Sequence, residues 1–308
     1  MKLSHCRTYL KWIVLSLSLT TFLGGCKAIN QFLVKPMIKP TGDALTLLAE
    51  AHVVPQLLES DDLEAGCTGA EALGGMVSAV GRITEEPYEL EVMLNLGAGG
   101  CEEGKAFEQE LSYLRYIRAQ LPDFAQDSLI AQKSHHVKAA KRYYKGWLAL
   151  IEFNGGNEIG GECPDLEQEF DQIVWLAGLI NGLQALNHDI LSGVGTGVPK
   201  NIAAQAERGA GCLDNRAWFG VPLALKAAVW SLLPGALPEG ENAWERLEQA
   251  DIIGEKAHVR LPHVFHLLSA YSKGDMERVR TVIKRHATEI EEHKPNAQYR
   301  LLDAAATE

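Results

Sequence analysis

From Asp43 onward the chain repeats apolar side chains at intervals of three and four. Leu47, Leu48, Ala51, Val54 and Leu58 fall on one face, with Asp43 at an N-cap position, and that spacing predicts an amphipathic α-helix. The same rhythm predicts helices over about 62–82, 87–96, 101–121 and 127–153, the last stopping at Asn154-Gly155-Gly156. Pro164 is expected in a first helical turn, where its missing N–H costs nothing. The helix from there is apolar almost all round between Phe170 and Leu191, which predicts a central position. Further helices are expected over about 199–212, 221–233, 241–254, 258–272 and 275–291. No segment sustains the period-two alternation of a strand, so the pattern predicts an all-α protein of roughly ten or eleven helices.

The last two of these helices form a short hairpin, closed by Ala270-Tyr271 and turned through Lys273-Gly274-Asp275, with Asp275 as the cap. The turn resembles the inner turn of a tetratricopeptide repeat, but a strict 34-residue period is absent. Two architectures stay open: an irregular bundle, or a degenerate array of helical hairpins. Residues 43–300 are expected to form one domain, with the segment 154–163 (NGGNEIGGEC) as its largest loop.

The N-terminus follows a different pattern. Lys2, Arg7 and Lys11 precede an apolar run, Trp12 to Leu23, that is too short to span a bilayer; this is the layout of a secretory signal. It ends in Leu23-Gly24-Gly25-Cys26, which resembles the lipobox of bacterial lipoproteins. The resemblance implies cleavage after residue 25, a diacylglycerol on the Cys26 thiol and an acyl chain such as palmitate on its amine. Several chains exceed what stable anchoring needs. Lys27 rather than Asp follows Cys26, and in the resembling enterobacterial lipoproteins that implies release to the outer membrane. Residues 26–42, with two Pro and three Lys, are expected to link the lipid to the fold.

Charge narrows the partners. The chain carries −11, and removal of residues 1–25 takes away three bases and no acid, leaving −14 on 283 residues. An acidic surface of this kind argues against nucleic acid, whose binders displace counterions with Lys and Arg. With 46% hydrophobic and 22% charged residues the body has the balance of an ordinary folded protein, and no later apolar window is long enough for a membrane span.

Beyond Cys6 and Cys26, four cysteines remain: Cys67, Cys101, Cys163 and Cys212. They allow three pairings, of which local order favours Cys67–Cys101 and Cys163–Cys212. An even count suits an oxidising compartment, and closely spaced pairs of the C-x₂-C kind that hold zinc do not occur.

Motifs for chemistry mostly fail on spacing or context. Gly193-x-Gly195-x-Gly197 follows a helix rather than a strand, so it reads as a bend and not as a phosphate loop. A G-x-S-x-G elbow and an H-E-x-x-H pair are both missing. His263 and His266 lie three apart on one expected helix, with Asp251, Glu255 and His258 a hairpin away; a pair of surface or interfacial imidazoles beside a packed Phe265 explains them more simply than a metal, and no metal or cofactor is expected. His135 and His136 are adjacent, about 100° apart on a helix, and cannot easily share an ion. His188-Asp189 is read as a solvated helix end with no nucleophile placed near it. The expectation is therefore a protein that is not an enzyme, with no catalytic residues.

Large apolar side chains are concentrated in the same helices. Tyr143 with Tyr144, Trp147, Trp175, Leu179, Leu183, Trp218 and Trp230 belong mostly to a core, and a core of this size can enclose a cavity for a hydrophobic ligand. Tyr143, Trp147, Trp175, Leu179, Leu183, Trp218 and Trp230 are the candidate ligand site.

A lipobox, a short linker and then hairpins with the texture of Ala44-Leu45, Pro55-Gln56-Leu57-Leu58-Glu59 and Lys141-Arg142-Tyr143-Tyr144-Lys145-Gly146-Trp147 are similar to the T-component lipoproteins of TRAP-type transporters. They are also similar to the lipoprotein partner of bacterial sterol export systems. The resemblance implies an all-helical, repeat-like protein on the periplasmic side of the outer membrane, able to form a homo-oligomer around an apolar pore. It implies envelope transport of a lipid or sterol-like molecule alongside other transport proteins. The cysteines and the Gly193–Pro199 bend depart from that pattern. The alternative is a helical scaffold that docks other envelope proteins and holds no ligand.

Overall fold

A computed structural model describes residues 44–307 apart from 45 and 82–86. Cys26, the signal segment, the linker and Asp43 lie outside the described residues. Among the described residues the chain is three-quarters helical, without strands. After a π-helical stretch, Ala49–Val53, come α1 (Val54–Leu58), α2 (Leu63–Gly81), α3 (Tyr88–Arg118) and α4 (Pro122–Phe153). They are followed by α5 (Glu169–Ser192), α6 (Ile202–Gly209), α7 (Val221–Leu232) and α8 (Ala243–Ala257). The last three are α9 (Leu261–Ser272), α10 (Met276–Glu292) and α11 (Arg300–Thr307). Chain neighbours pack as neighbours through most of the array, and α11 returns to touch α1, α2 and α9.

The longest pair, α3 and α4, is an antiparallel hairpin of 31 and 32 residues. Its turn passes through Gln120 at φ 59°, and Pro122 opens α4 at a position where a missing N–H is harmless. Against one half of this hairpin lies α5, and glycines let the three helices approach closely. A Cβ on Gly182 would meet the Trp147 ring, one on Gly178 the Leu150 side chain, and one on Gly99 the Tyr143 ring, each within 3.0 Å. In these notches side chains lie close against bare backbone, so the density of the core comes from what the glycines lack. Asn181, fully buried, donates to the carbonyl of Val92 at 3.0 Å and ties α5 to α3.

Several features differ from the sequence pattern, among them the start of α4 at Pro122 rather than at about 127. The run Gly97-Ala98-Gly99-Gly100, expected to separate two helices, lies inside α3. Contact outweighs propensity there, since Gly97 faces Ala70 of α2 and Gly99 faces Tyr143. Pro164 does not open a helix: residues 164–168 are non-helical, Gln168 is extended, and α5 begins at Glu169. Finally α11, eight residues long, escaped the pattern altogether and is held by tertiary contacts. The cap at Asp275 is as expected, its side chain accepting from the Arg278 amide at 3.0 Å.

Two disulfides staple the array. Cys67–Cys101 joins α2 to α3 and Cys163–Cys212 joins the loop before α5 to the turn after α6, with Cα separations of 5.3 and 5.5 Å. No described helix is long and apolar enough to cross a membrane.

Candidate functional site

Tyr143, Trp147, Trp175, Leu179 and Trp218 are buried in the main core, and Leu183 packs half-buried against it. Trp230 stands apart in a second, small cluster with Ala227, Ala243 and Leu247. Three of the indoles are hydrogen-bonded internally. Trp175 Nε1 donates to the carbonyl of Gly209 at 2.9 Å, Trp218 to Gln172 Oε1 at 2.7 Å and Trp230 to Glu207 Oε1 at 2.9 Å. Tyr143 and Trp147 are set over the glycine backbone of α3 and α5, and Trp230, in its own cluster, stands away from the other indoles.

Tyr143 leads instead to a polar cluster between α3, α4 and α5. Its hydroxyl donates to Glu103 at 2.5 Å, and Gln184 Nε2 donates to both oxygens of that carboxylate at 3.1 Å. His188, fully buried, places Nε2 3.4 Å from Glu103 and shares a 2.8 Å hydrogen bond through Nδ1 with His136. Burial pushes the Glu103 carboxyl up, but hydrogen bonding and charge from His188, with Tyr143 and Gln184, outweigh it and hold the carboxyl below its usual range. Burial, and then the neighbouring His188, lower His136 to about 4. The Tyr143 phenol is pushed well up by burial and by Glu103.

One residue earlier on each helix a second group forms, with Glu102 buried and His135 half-buried. Glu102 accepts from His135 at 2.7 Å and from Lys105 at 3.2 Å, with Arg142 at 3.4 Å. Two adjacent acids on α3 thus meet two adjacent histidines on α4, the 100° step between neighbours giving each acid its own histidine contacts. The doublets Glu102-Glu103 and His135-His136 were a usable signal. His188 corrects the expectation of a solvated helix end: it is interior, whereas Asp189 accepts from the amide and hydroxyl of Thr196 and fastens the glycine bend.

The second histidine cluster joins α8, α9 and α10. His266 pairs with Asp251 at 2.7 Å, and His263 reaches Glu255 at 3.1 Å and His286 at 3.2 Å. Arg285 lies against both carboxylates, 3.5 Å from Asp251 and 2.8 Å from Glu255. The cation balancing these acids is a guanidinium, and His263 and His266, expected at a surface or an interface, are instead buried members of an internal network. Burial lowers His263 and His286, with Asp251 and Glu255 opposing it at His263.

Two surface features remain. A cleft of about 470 Å³ has Val54, Leu58, Phe170, Ile173 and Tyr299 along its floor and Glu50, Glu59 and Glu169 at its rim. The far end of the α3–α4 hairpin is the other. Beyond Ala106 neither α2 nor α5 covers it, and no residue from Phe107 to Phe124 is buried. Phe107, Leu111, Leu114, Ile117, Phe124 and Ile130 there are 49–58% exposed. The α3 members recur at intervals of three or four, so they form one stripe that faces away from α4, while Tyr113 and Tyr116 turn inward.

No protein-family model matches the chain, and comparison with curated proteins and with solved structures finds no match.

Proposed function

We propose that the protein is a non-enzymatic docking component of the bacterial envelope, held at the outer membrane by lipid on Cys26 and engaging a second envelope protein through the end of the α3–α4 hairpin. One observation carries this: an uncovered stripe of large apolar side chains on a hairpin that projects past its neighbours. Isolated exposed apolar residues are ordinary, but a contiguous stripe marks an interaction surface. Its chemistry favours a protein partner. Phe, Leu, Ile, Tyr and Arg are the residues of interface cores, and no Lys occurs between 106 and 132. Glu108, Glu110, Asp123 and Asp127 outnumber Arg115 and Arg118 there, so an anionic lipid surface would repel the hairpin. The occupant this surface suits is the apolar face of a partner helix.

A second reading keeps a hydrophobic ligand, moved from the aromatic core to the cleft between α1, α5 and the start of α11. Its apolar floor and acidic rim suit an amphiphile without a negative head.

The test places a photo-crosslinking residue at position 114 in the native membrane, identifies the captured protein and purifies it. That protein is expected to bind the wild type directly and to lose at least about tenfold in affinity against Leu114→Glu or Ile117→Glu, since a buried charge without a partner is costly. Binding unchanged by both substitutions would remove the docking reading. Crosslinks only between copies of this chain would make the stripe a self-association surface. Lipid carried by the native protein, and lost on Ile173→Glu, would favour the cleft.

A further inference from the structure

The corner between α8 and α9 meets the end of α10 at three side chains that have had no role so far. His258 closes α8 in the left-handed region, at φ 56° and ψ 39°. Glu289 lies in the last turn of α10 and His293 caps it, four residues on, so both project to one side. One donor atom from each of His258, Glu289 and His293 lies within 4.8 Å of the other two. His293 Nδ1 is 3.2 Å from Glu289 Oε2, and the rings of His258 and His293 have centroids 5.0 Å apart. Two imidazoles sharing a tetrahedral ion at about 2.0–2.1 Å per bond have ring centres roughly 5 Å apart. The rings already stand at that separation.

An ordinary helix-end ion pair accounts for Glu289 and His293, and the His258 ring lies against that of His293 at an interplanar angle of 25°. The Nδ1 atom of His258 is shut off from water and has no hydrogen-bond partner among the described residues, so those groups leave this imidazole under-satisfied. The backbone beneath is tied down. Arg260, 2% exposed, donates from Nη2 to the carbonyl of Glu289 at 2.8 Å and to that of His293, while Asp303 neutralises its charge through Nη1. Asn296 donates its amide to the carbonyl of His258 at 2.9 Å and its side chain to that of Ala257 at 3.0 Å. Outer contacts of this kind fix ligand positions before an ion arrives.

We propose that His258, Glu289 and His293 form a binding site for a divalent transition-metal ion, with zinc the best match to two imidazoles and one carboxylate. Hard ions such as calcium and magnesium prefer sets made of oxygens. Three protein ligands leave a fourth position open to water or to a group from a partner, and the bound ion would staple the end of α10 to the α8–α9 corner. This site is independent of the hairpin surface.

The test is calorimetric titration of the chelator-stripped, lipidated protein in detergent with zinc chloride. Saturation at one ion per chain is expected, weakened at least about tenfold in His258→Asn, in His293→Gln and in Glu289→Gln. Asn is used at 258 because it tolerates a left-handed backbone. Cobalt(II) gives a second readout, with the strong visible absorption of a four-coordinate site expected in the wild type and lost in each variant. Circular dichroism identifies which variants are folded. Titration without saturation near one equivalent, or wild-type affinity in every folded variant, would overturn the proposal.

Discussion

His136 is a side chain whose burial converts directly into pH dependence. It is interior, hydrogen-bonded to His188, and lowered to about 4 from an ordinary 6.5. The folded state therefore resists a proton that the unfolded chain accepts, so stability is fully present above about 6.5 and is lost as pH falls toward 4. Burial lowers His263 and His286 in the same sense, whereas the lowered carboxyls of Glu102, Glu103 and Glu255 act below their ordinary 4.5. The two windows separate histidine from carboxylate effects. Comparing urea unfolding at about pH 7 and about pH 4.5, His136→Gln should reduce the acid-induced loss by roughly 2 kcal/mol. An unchanged loss would mean that His136 takes up its proton without opening the structure.

Within helices, glycine has two opposite meanings in this protein, and one pair of substitutions separates them. Gly182 of α5 is a notch for the Trp147 ring, with Ile202 also within 3.0 Å of where a Cβ would stand. Trp147 is itself 2% exposed and cannot withdraw. Gly182→Ala should destabilise by about 1–3 kcal/mol through overpacking, despite the better helix propensity of Ala. Gly104 of α3 has nothing within 4 Å of its added Cβ, so Gly104→Ala should stabilise by up to about 1 kcal/mol. Chemical denaturation of the two variants is expected to give opposite signs; the same sign in both would show that propensity, not packing, governs these helices.

For the molecule as a whole, closure of the array depends on its last short helix. Asp303 of α11 is buried against Arg260, accepting from its guanidinium and from its backbone amide at 3.2 Å. Arg260 in turn holds the end of α10, so one ion pair links α9, α10 and α11. Removing one partner of a buried pair strands the other charge, and Asp303→Ala should cost about 3–5 kcal/mol. Hydrogen exchange should show the loss first at residues 289–307. Wild-type thermal stability and exchange in that variant would show that α11 is an accessory.

Helix after helix was legible because burying one face of an amphipathic segment requires apolar residues at intervals of three and four, and those intervals are local. The paired cysteines were legible for a related reason, since each couples segments close in the chain. Glycine was not, because Gly97 and Gly99 read as breakers by propensity and act as contact surfaces once α2 and Tyr143 arrive. Tyr143, Trp147, Trp175 and Trp230 were recognisable as large apolar groups, but whether such groups line a void or fill one depends on the helices opposite, and here glycine backbone and hydrogen-bond acceptors meet them. The apolar stripe on α3 has the same periodicity as the buried ones, and only the reach of α2 and α5 decides that it stays uncovered. His258 and His293 are thirty-five residues apart in the chain; their rings meet because a left-handed cap and one buried arginine turn the chain back, and no local pattern encodes that distance.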